Sequence, residues 1–220
     1  MVIRGLHLLS TRSQIEVVQK TTTERIKMTL SFPIVTSGVA LGLVNIIRYG
    51  VITWIPVYLY QNFNMPIEKV GVNIFLIPIA GILGTLLYDK IKLPKDLTTV
   101  LYMVGLGTLF LVFPVTSGLS MFALLLLSGF FMYGPHVFLV STMPSRFHDK
   151  SIVAASTGFI DGVGYIGATM VGIIVPFIID KTGEWTSVFY FWSAMSFVTI
   201  ILVGAVYLKS WRSKGVLSGL

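Results

Sequence analysis

Residues 33–60 read PIVTSGVALGLVNIIRYGVITWIPVYLY, a run of apolar and uncharged residues interrupted by one charged side chain, Arg48. A helix needs about 20 predominantly apolar residues to cross a bilayer. This run is longer than that minimum, so it predicts a transmembrane helix. Pro56 does not argue against a span, because membrane helices tolerate proline where neighbouring groups satisfy the freed carbonyls.

Five further tracts of this kind follow, at 70–88, 97–116, 120–140, 152–179 and 186–208. The chain carries 16 Lys+Arg and 9 Asp+Glu, yet only Arg48 and Asp161 fall inside the six tracts. Charge in hydrocarbon is costly, so this depletion is typical of membrane spans. Overall the sequence is 55% hydrophobic and 11% charged, whereas soluble domains carry about 25% charged residues. The predicted fold class is all-α, a polytopic membrane bundle of six transmembrane helices.

The sequence predicts three regions: a cytoplasmic segment or linker at 1–28, a six-helix membrane domain at 29–208, and a short basic tail at 209–220. Thirteen Lys and Arg residues lie in the segments on the side of both termini, against two on the other side. Basic segments stay in the cytoplasm. We therefore expect a multi-pass integral membrane protein with both termini cytoplasmic, in the inner cell membrane if the source is a bacterium.

Several function classes are excluded by residue content. The chain has no Cys, which excludes disulfides, Cys-ligated metal sites and thiol nucleophiles. The net charge of +7 does not predict a nucleic-acid partner, because the basic residues lie between apolar tracts rather than on a soluble face. Residues 162–167 match G-x-G-x-x-G, but a dinucleotide site needs a preceding strand and a soluble βαβ unit. No cofactor and no enzyme activity are expected, and the lipid bilayer is the expected surrounding.

Arg48 is the most informative residue, because it lies near the middle of its span. An arginine at mid-membrane costs about 2.5 to 3.5 kcal/mol even on insertion scales, so something must offset it. One interpretation is a structural ion pair with Asp161. The other is a fixed cation for an anionic substrate, since the planar guanidinium fits phosphate or carboxylate oxygens. Asn45 lies three residues earlier, on the same face of the helix.

Three more candidate site residues lie inside later spans. Tyr165 is one turn after Asp161 and shares its face, while Tyr133 and His136 share a face of the fourth span. An ion pair, a proton carrier and a packing hydrogen bond all remain open for Asp161. His136 is equally compatible with cavity lining and with a helix–helix hydrogen bond. Aromatic residues at 189–192 suggest an interfacial belt, and the small-residue pairs Gly38/Gly42 and Gly158/Gly162 suggest close helix packing.

Four stretches together resemble a known transporter family. RYGVITWIPVYL at 48–59 resembles the seventh span of the organophosphate:phosphate antiporters, a family of the major facilitator superfamily that includes glycerol-3-phosphate and hexose-phosphate transporters. The resemblance continues with AGILGTLL at 80–87, YGP at 133–135 and GFIDGVGYIG at 158–167. From about residue 29 to 208 the chain is similar to the C-terminal half of such a transporter. It departs from the pattern at Ile77-Pro78, where the family has an acidic residue, and in a shorter loop after Gly84.

The resemblance implies two inverted three-helix repeats and a secondary transporter that exchanges an organic phosphate for inorganic phosphate by alternating access. It implies that Arg48 holds the substrate phosphate and that Tyr133 and Tyr165 line the cavity, with His136 and Asp161 beside them. The family uses a second arginine from an N-terminal half, so the expected partner is a missing six-helix half or a second copy. A membrane sensor of sugar phosphate and a nonfunctional transporter fragment remain as alternatives.

The charge distribution gives a testable topology. Tags at both termini and at Lys92 are expected to report the cytoplasm, and tags near Glu68, Gly118 and Glu184 the opposite face, because basic segments are retained inside. Tag accessibility in intact cells and in inverted vesicles measures this. A terminus accessible from outside the cell would contradict the predicted orientation.

Overall fold

A computed structural model of the protein describes residues 22–146 and 150–217. Within these ranges no strand occurs, and six long helices dominate: α1, Phe32–Phe63; α2, Ile67–Lys90; α3, Lys95–Val112; α4, Gly118–Val137; α5, Lys150–Thr182; and α6, Trp185–Leu217. A short helix, Thr22–Thr29, precedes α1, and 3-10 turns cover Phe113–Val115 and Pro144–Arg146. A π-helical turn, Phe138–Thr142, continues α4.

The six predicted spans are confirmed as helices long and apolar enough to cross a bilayer. The chain is therefore an all-α integral membrane protein. The 32 residues of α1 extend over about 48 Å at 1.5 Å per residue, so this helix exceeds the hydrocarbon thickness of about 30 Å. The division of the chain at residues 28 and 208 stays a prediction, as does the orientation. Residues 1–21, 147–149 and 218–220 lie outside the described residues.

The helix contacts have an internal symmetry. The extensively packed pairs are α1 with α5, α2 with α4, α3 with α6, α1 with α6, and α3 with α4. If α1, α2 and α3 are exchanged for α4, α5 and α6 in that order, the α1–α5 pair becomes the α4–α2 pair. In the same way the α1–α6 pair becomes the α4–α3 pair, and the α3–α6 pair is unchanged. Two spans, α2 and α3, lie between α1 and α4, so α1 and α4 cross the membrane in opposite directions. This is the pattern of two inverted three-helix repeats, as the sequence predicts.

Glycines bring the two main helix pairs into backbone contact. In the α1–α5 pair, a Cβ on Gly167 would lie 2.2 Å from the Gly42 carbonyl oxygen. In the α2–α4 pair, a Cβ on Gly84 would lie 2.0 Å from the Phe130 carbonyl oxygen, and one on Gly129 would lie 2.2 Å from that of Ile77. Small residues permit such close approach in membranes, where helix association depends on packing. We call these two contacts the α1–α5 seam and the α2–α4 seam.

The sequence prediction named the right glycines on α1 and the wrong ones on α5. Gly42 lies in the α1–α5 seam, and Gly38 faces Val163, whose Cβ would be 3.2 Å from an added Cβ. Gly158 and Gly162, by contrast, would place a Cβ with no atom within 4 Å. They lie on an exposed face of α5, because α1 packs against a different face that contains Gly164 and Gly167.

The proposed aromatic belt at 189–192 is wrong for two of its members. Phe189 is 1% exposed and Trp192 is 0% exposed. The Phe189 ring packs on Phe113, with centroids 4.3 Å apart, and the Trp192 indole fills the space above Gly50. Apolar residues that face lipid and apolar residues that face protein look alike in sequence, so a run of aromatics does not reveal which surface it covers.

An ion pair joins α3 to the segment that follows α4. Asp96 is 4% exposed and accepts two hydrogen bonds from Arg146, at 3.1 Å to Nη1 and 2.5 Å to Nη2. The Arg146 guanidinium also lies 5.3 Å from the centroid of the Phe138 ring. Asp96 lies just before the predicted span 97–116 and Arg146 just after the predicted span 120–140, in connecting segments expected on the side of the termini. Their contact is consistent with a shared side.

Candidate anion-binding site

Arg48 lies near the middle of α1 and is partly buried. Its Nε is buried without a hydrogen-bond partner. The guanidinium carbon lies 4.6 Å from the centroid of the Tyr49 ring and 5.8 Å from that of Tyr133. The negative faces of aromatic rings attract a cation at such distances. Two tyrosines therefore hold the Arg48 guanidinium without neutralising its charge.

The structure does not contain the ion pair between Arg48 and Asp161 that sequence reasoning left open. Arg48 has no carboxylate oxygen within 4.0 Å among the described residues, whereas Arg146 pairs with Asp96. Asp161 is partly buried one turn before Tyr165 on α5. Because no carboxylate pairs with Arg48, its charge is available to an anion from outside the chain. The attraction is stronger where water is removed, because the charge is then less screened.

Tyr133 and His136 come from α4, where the helix geometry changes. Pro135 lies inside α4, and the π-helical turn begins at Phe138, whose N–H reaches the carbonyls of Gly134 and Pro135. Such π segments are rare and are frequent at functional sites. Tyr133 and His136 both lie within electrostatic range of Arg48, so α4 brings these two predicted residues to the arginine.

Tyr165 completes the group on the α5 side. Its ring centroid lies 6.3 Å from that of Tyr49, and it too lies within electrostatic range of Arg48. Tyr165 is 53% exposed. The candidate site is therefore open on the side formed by α5, and it is not enclosed by these six helices.

Asn45 lies apart from this group, although it is one turn before Arg48. It is 1% exposed, and its Oδ1 has no hydrogen-bond partner. Its amide nitrogen lies 3.0 Å from the position that a Cβ of Gly164 would take. Asn45 is thus part of the α1–α5 seam, whereas the arginine extends toward Tyr133 of α4.

Tyr49 was missed as a candidate by the sequence analysis. Adjacent residues on a helix do not share a face, so a search for residues three or four positions from Arg48 passes over it. The structure brings its ring onto the guanidinium and next to Tyr165. The signal that could have identified Tyr49 is its position directly after Arg48 in the stretch 48–59.

The arrangement suits an anion with several oxygens. A guanidinium presents its N–H donors as a planar fork that matches phosphate or carboxylate. The phenols of Tyr49, Tyr133 and Tyr165 can donate further hydrogen bonds, and so can an imidazole N–H of His136. The site has one strong cation and several neutral donors, so it can bind an anion.

Comparison with known proteins finds similarity to transporters. Sugar phosphate exchanger 3 of Xenopus laevis is 27% identical over 187 residues, covering 80% of this chain and 37% of the relative. The human protein of that name is 25% identical over 188 residues, covering 80% and 38%. The glycerol-3-phosphate transporter of Bacillus subtilis is 28% identical over 186 residues, covering 79% and 40%. No protein-family model and no solved structure matches the chain significantly.

These matches confirm the resemblance that the motifs predict. The relatives are named as exchangers and transporters rather than as enzymes. The chain spans less than half the length of these curated relatives, 37% to 40% of each.

The contact between Tyr49 and Arg48 can be tested. Tyr49→Leu is expected to weaken the binding of inorganic phosphate roughly 2- to 30-fold, because a cation–π contact contributes about 0.5 to 2 kcal/mol. Tyr49→Phe retains the ring and is the matched control, for which we expect a smaller loss. Titration calorimetry of the chain in lipid nanodiscs measures both. Equal losses in the two variants would assign the effect to the hydroxyl rather than the ring.

Proposed function

Because this chain is a homologue of sugar phosphate exchangers and glycerol-3-phosphate transporters, we propose that it is the C-terminal half of a secondary transporter for organic phosphates. Hexose phosphate or glycerol 3-phosphate would be carried in exchange for inorganic phosphate. Arg48 would bind the phosphate group, with Tyr133, Tyr165 and His136 donating further hydrogen bonds. Asp161 would lie beside these groups, whereas Asn45 belongs to the α1–α5 seam and takes no part in phosphate binding.

One observation carries the proposal: a mid-membrane arginine that no carboxylate neutralises among the described residues. Its desolvation has to be offset, and the two tyrosine rings offset only part of it. A phosphate dianion would satisfy the free Nε and the outer nitrogens together, through charge-assisted hydrogen bonds. An exchanger would gain from this arrangement, because departure of one anion leaves the arginine unpaired and so favours the binding of another.

The open side of the site supports a partner bundle. Of the six spans, α2 and α5 are the least buried. Gly158, Gly162 and Gly172 on α5 would place a Cβ with no atom within 4 Å, and Tyr165 faces the same open side. Tyrosine and carboxylate groups directed at hydrocarbon would be unfavourable. A second six-helix bundle against this face would cover them and supply the second half that alternating access requires.

The phosphate-binding role is tested by Arg48→Lys, which keeps the charge and removes the fork. The variant is expected to bind glycerol 3-phosphate about 10- to 150-fold more weakly, because a hydrogen bond to a charged group contributes about 1.5 to 3 kcal/mol. Affinity is measured by titration calorimetry in nanodiscs.

Arg146→Lys is the matched control, because it makes the same substitution at an arginine that already has a carboxylate partner. It is expected to lower the unfolding temperature while leaving the affinity for glycerol 3-phosphate unchanged. Asp161→Asn tests the alternative in which Arg48 forms a structural ion pair with Asp161. If Arg48 depended on Asp161, breaking the pair would destabilise the fold by about 3 to 5 kcal/mol. Unchanged phosphate affinity in Arg48→Lys would refute the proposed role.

Exchange itself requires a separate measurement. Proteoliposomes loaded with inorganic phosphate are expected to accumulate labelled glycerol 3-phosphate when the chain is paired with an N-terminal six-helix bundle, and not when it is present as a monomer. The physical reason is that alternating access needs two bundles that move against each other. Binding without accumulation in the paired form would indicate a sensor, and exchange by a demonstrated monomer would contradict the half-transporter assignment.

A further inference from the structure

The Tyr133 ring lies directly on a glycine of the neighbouring helix. A Cβ added to Gly81 of α2 would lie 2.4 Å from Cδ2 of Tyr133, 2.7 Å from its Cγ and 2.9 Å from its Cε2. Carbon atoms in contact are normally about 3.5 to 4.0 Å apart. The ring can therefore occupy this position only while residue 81 has no side chain.

The two helices have no room to accommodate a side chain by a small shift. The α2–α4 seam holds them in backbone contact at Gly84 with Phe130 and at Gly129 with Ile77. On α2 these contacts lie on both sides of Gly81, at Ile77 and at Gly84, and on α4 they lie one turn before Tyr133. Separating the helices would lose both, so we expect an added methyl group at residue 81 to displace the ring instead.

A reciprocal contact fixes the next residue of α4. The Tyr88 ring of α2 covers Gly134, where a Cβ would lie 2.6 Å from Tyr88 Cδ2. The Tyr88 hydroxyl hydrogen-bonds to Thr99 Oγ1 at 2.7 Å and donates to the Lys95 carbonyl at 2.9 Å. Each helix thus places a tyrosine on a glycine of the other, and the backbone that carries Tyr133 is anchored on α2.

From this geometry we propose that Gly81 is a positioning residue: by leaving space for the Tyr133 ring, it places that ring against the Arg48 guanidinium. The inference rests on the proposed function for its consequence, since Tyr133 would be one of the groups around a bound phosphate. Gly81 itself touches no ligand. Its effect passes through the 5.8 Å contact between the Tyr133 ring and Arg48.

The test is a double-mutant cycle between Gly81→Ala and Tyr133→Ala. In the wild-type background, Gly81→Ala is expected to weaken the binding of inorganic phosphate roughly 2- to 30-fold, the range of a lost cation–π contact. In the Tyr133→Ala background the same substitution is expected to have no further effect, because the ring it displaces is gone. Gly71→Ala is the matched control on α2, since a Cβ there meets no atom within 4 Å.

A second readout does not depend on a ligand. The unfolding temperature in nanodiscs is expected to be lower for Gly81→Ala than for the wild type, but to be the same for Tyr133→Ala with and without Gly81→Ala. If the wild-type chain binds no phosphate, the proposed function fails, while this thermal cycle still decides whether Gly81 positions Tyr133. Additive effects in both readouts would overturn the inference. The inference would also be overturned if Gly81→Ala failed to fold both alone and together with Tyr133→Ala, because Gly81 would then be needed for packing that does not involve Tyr133.

Discussion

The carbonyl oxygens of Gly42 and Ile77 lie 2.2 Å from the positions that Cβ atoms on Gly167 and Gly129 would take, so the backbones of two helix pairs touch directly. In a bilayer, helices gain little from burying apolar surface against each other, because lipid is equally apolar. Close packing has to supply the association instead. The α1–α5 and α2–α4 seams do this at equivalent places in the two inverted repeats, and the remaining helices pack around them.

The seams also place the polar groups. α1 carries Arg48, and its contact with α5 brings Tyr165 near it. α2 carries Gly81, on which Tyr133 of α4 rests beside the guanidinium. The site is thus assembled from three helices whose relative positions depend on glycines rather than on polar contacts. Arg48 therefore keeps its charge, since no carboxylate among the described residues pairs with it.

Arg146 and Arg48 illustrate how one residue type serves two purposes, because one contacts a carboxylate and the other contacts aromatic rings. Arg146 donates two hydrogen bonds to Asp96 from the 3-10 turn that follows α4. Arg48 lies at mid-membrane against two aromatic rings and has no carboxylate within ion-pair distance among the described residues. The first arrangement joins helices. The second retains a cation, at a cost that a bound anion would offset.

The sequence by itself determined the six spans, their all-α class and the mid-membrane position of Arg48, because charge depletion over bilayer-length tracts is a property of composition along the chain. It also identified Tyr133, His136 and Tyr165, through helical spacing and family resemblance. Only the tertiary structure decided that Asn45 belongs to a helix seam, that Arg48 and Asp161 stay unpaired, and that Tyr49 covers the guanidinium. It also decided which face of α5 meets α1, which the glycine pattern at 158–167 left ambiguous. The physical reason is that every face of these helices is apolar, so periodicity does not distinguish lipid from protein. Only contact between backbones fixes the rotation of each helix.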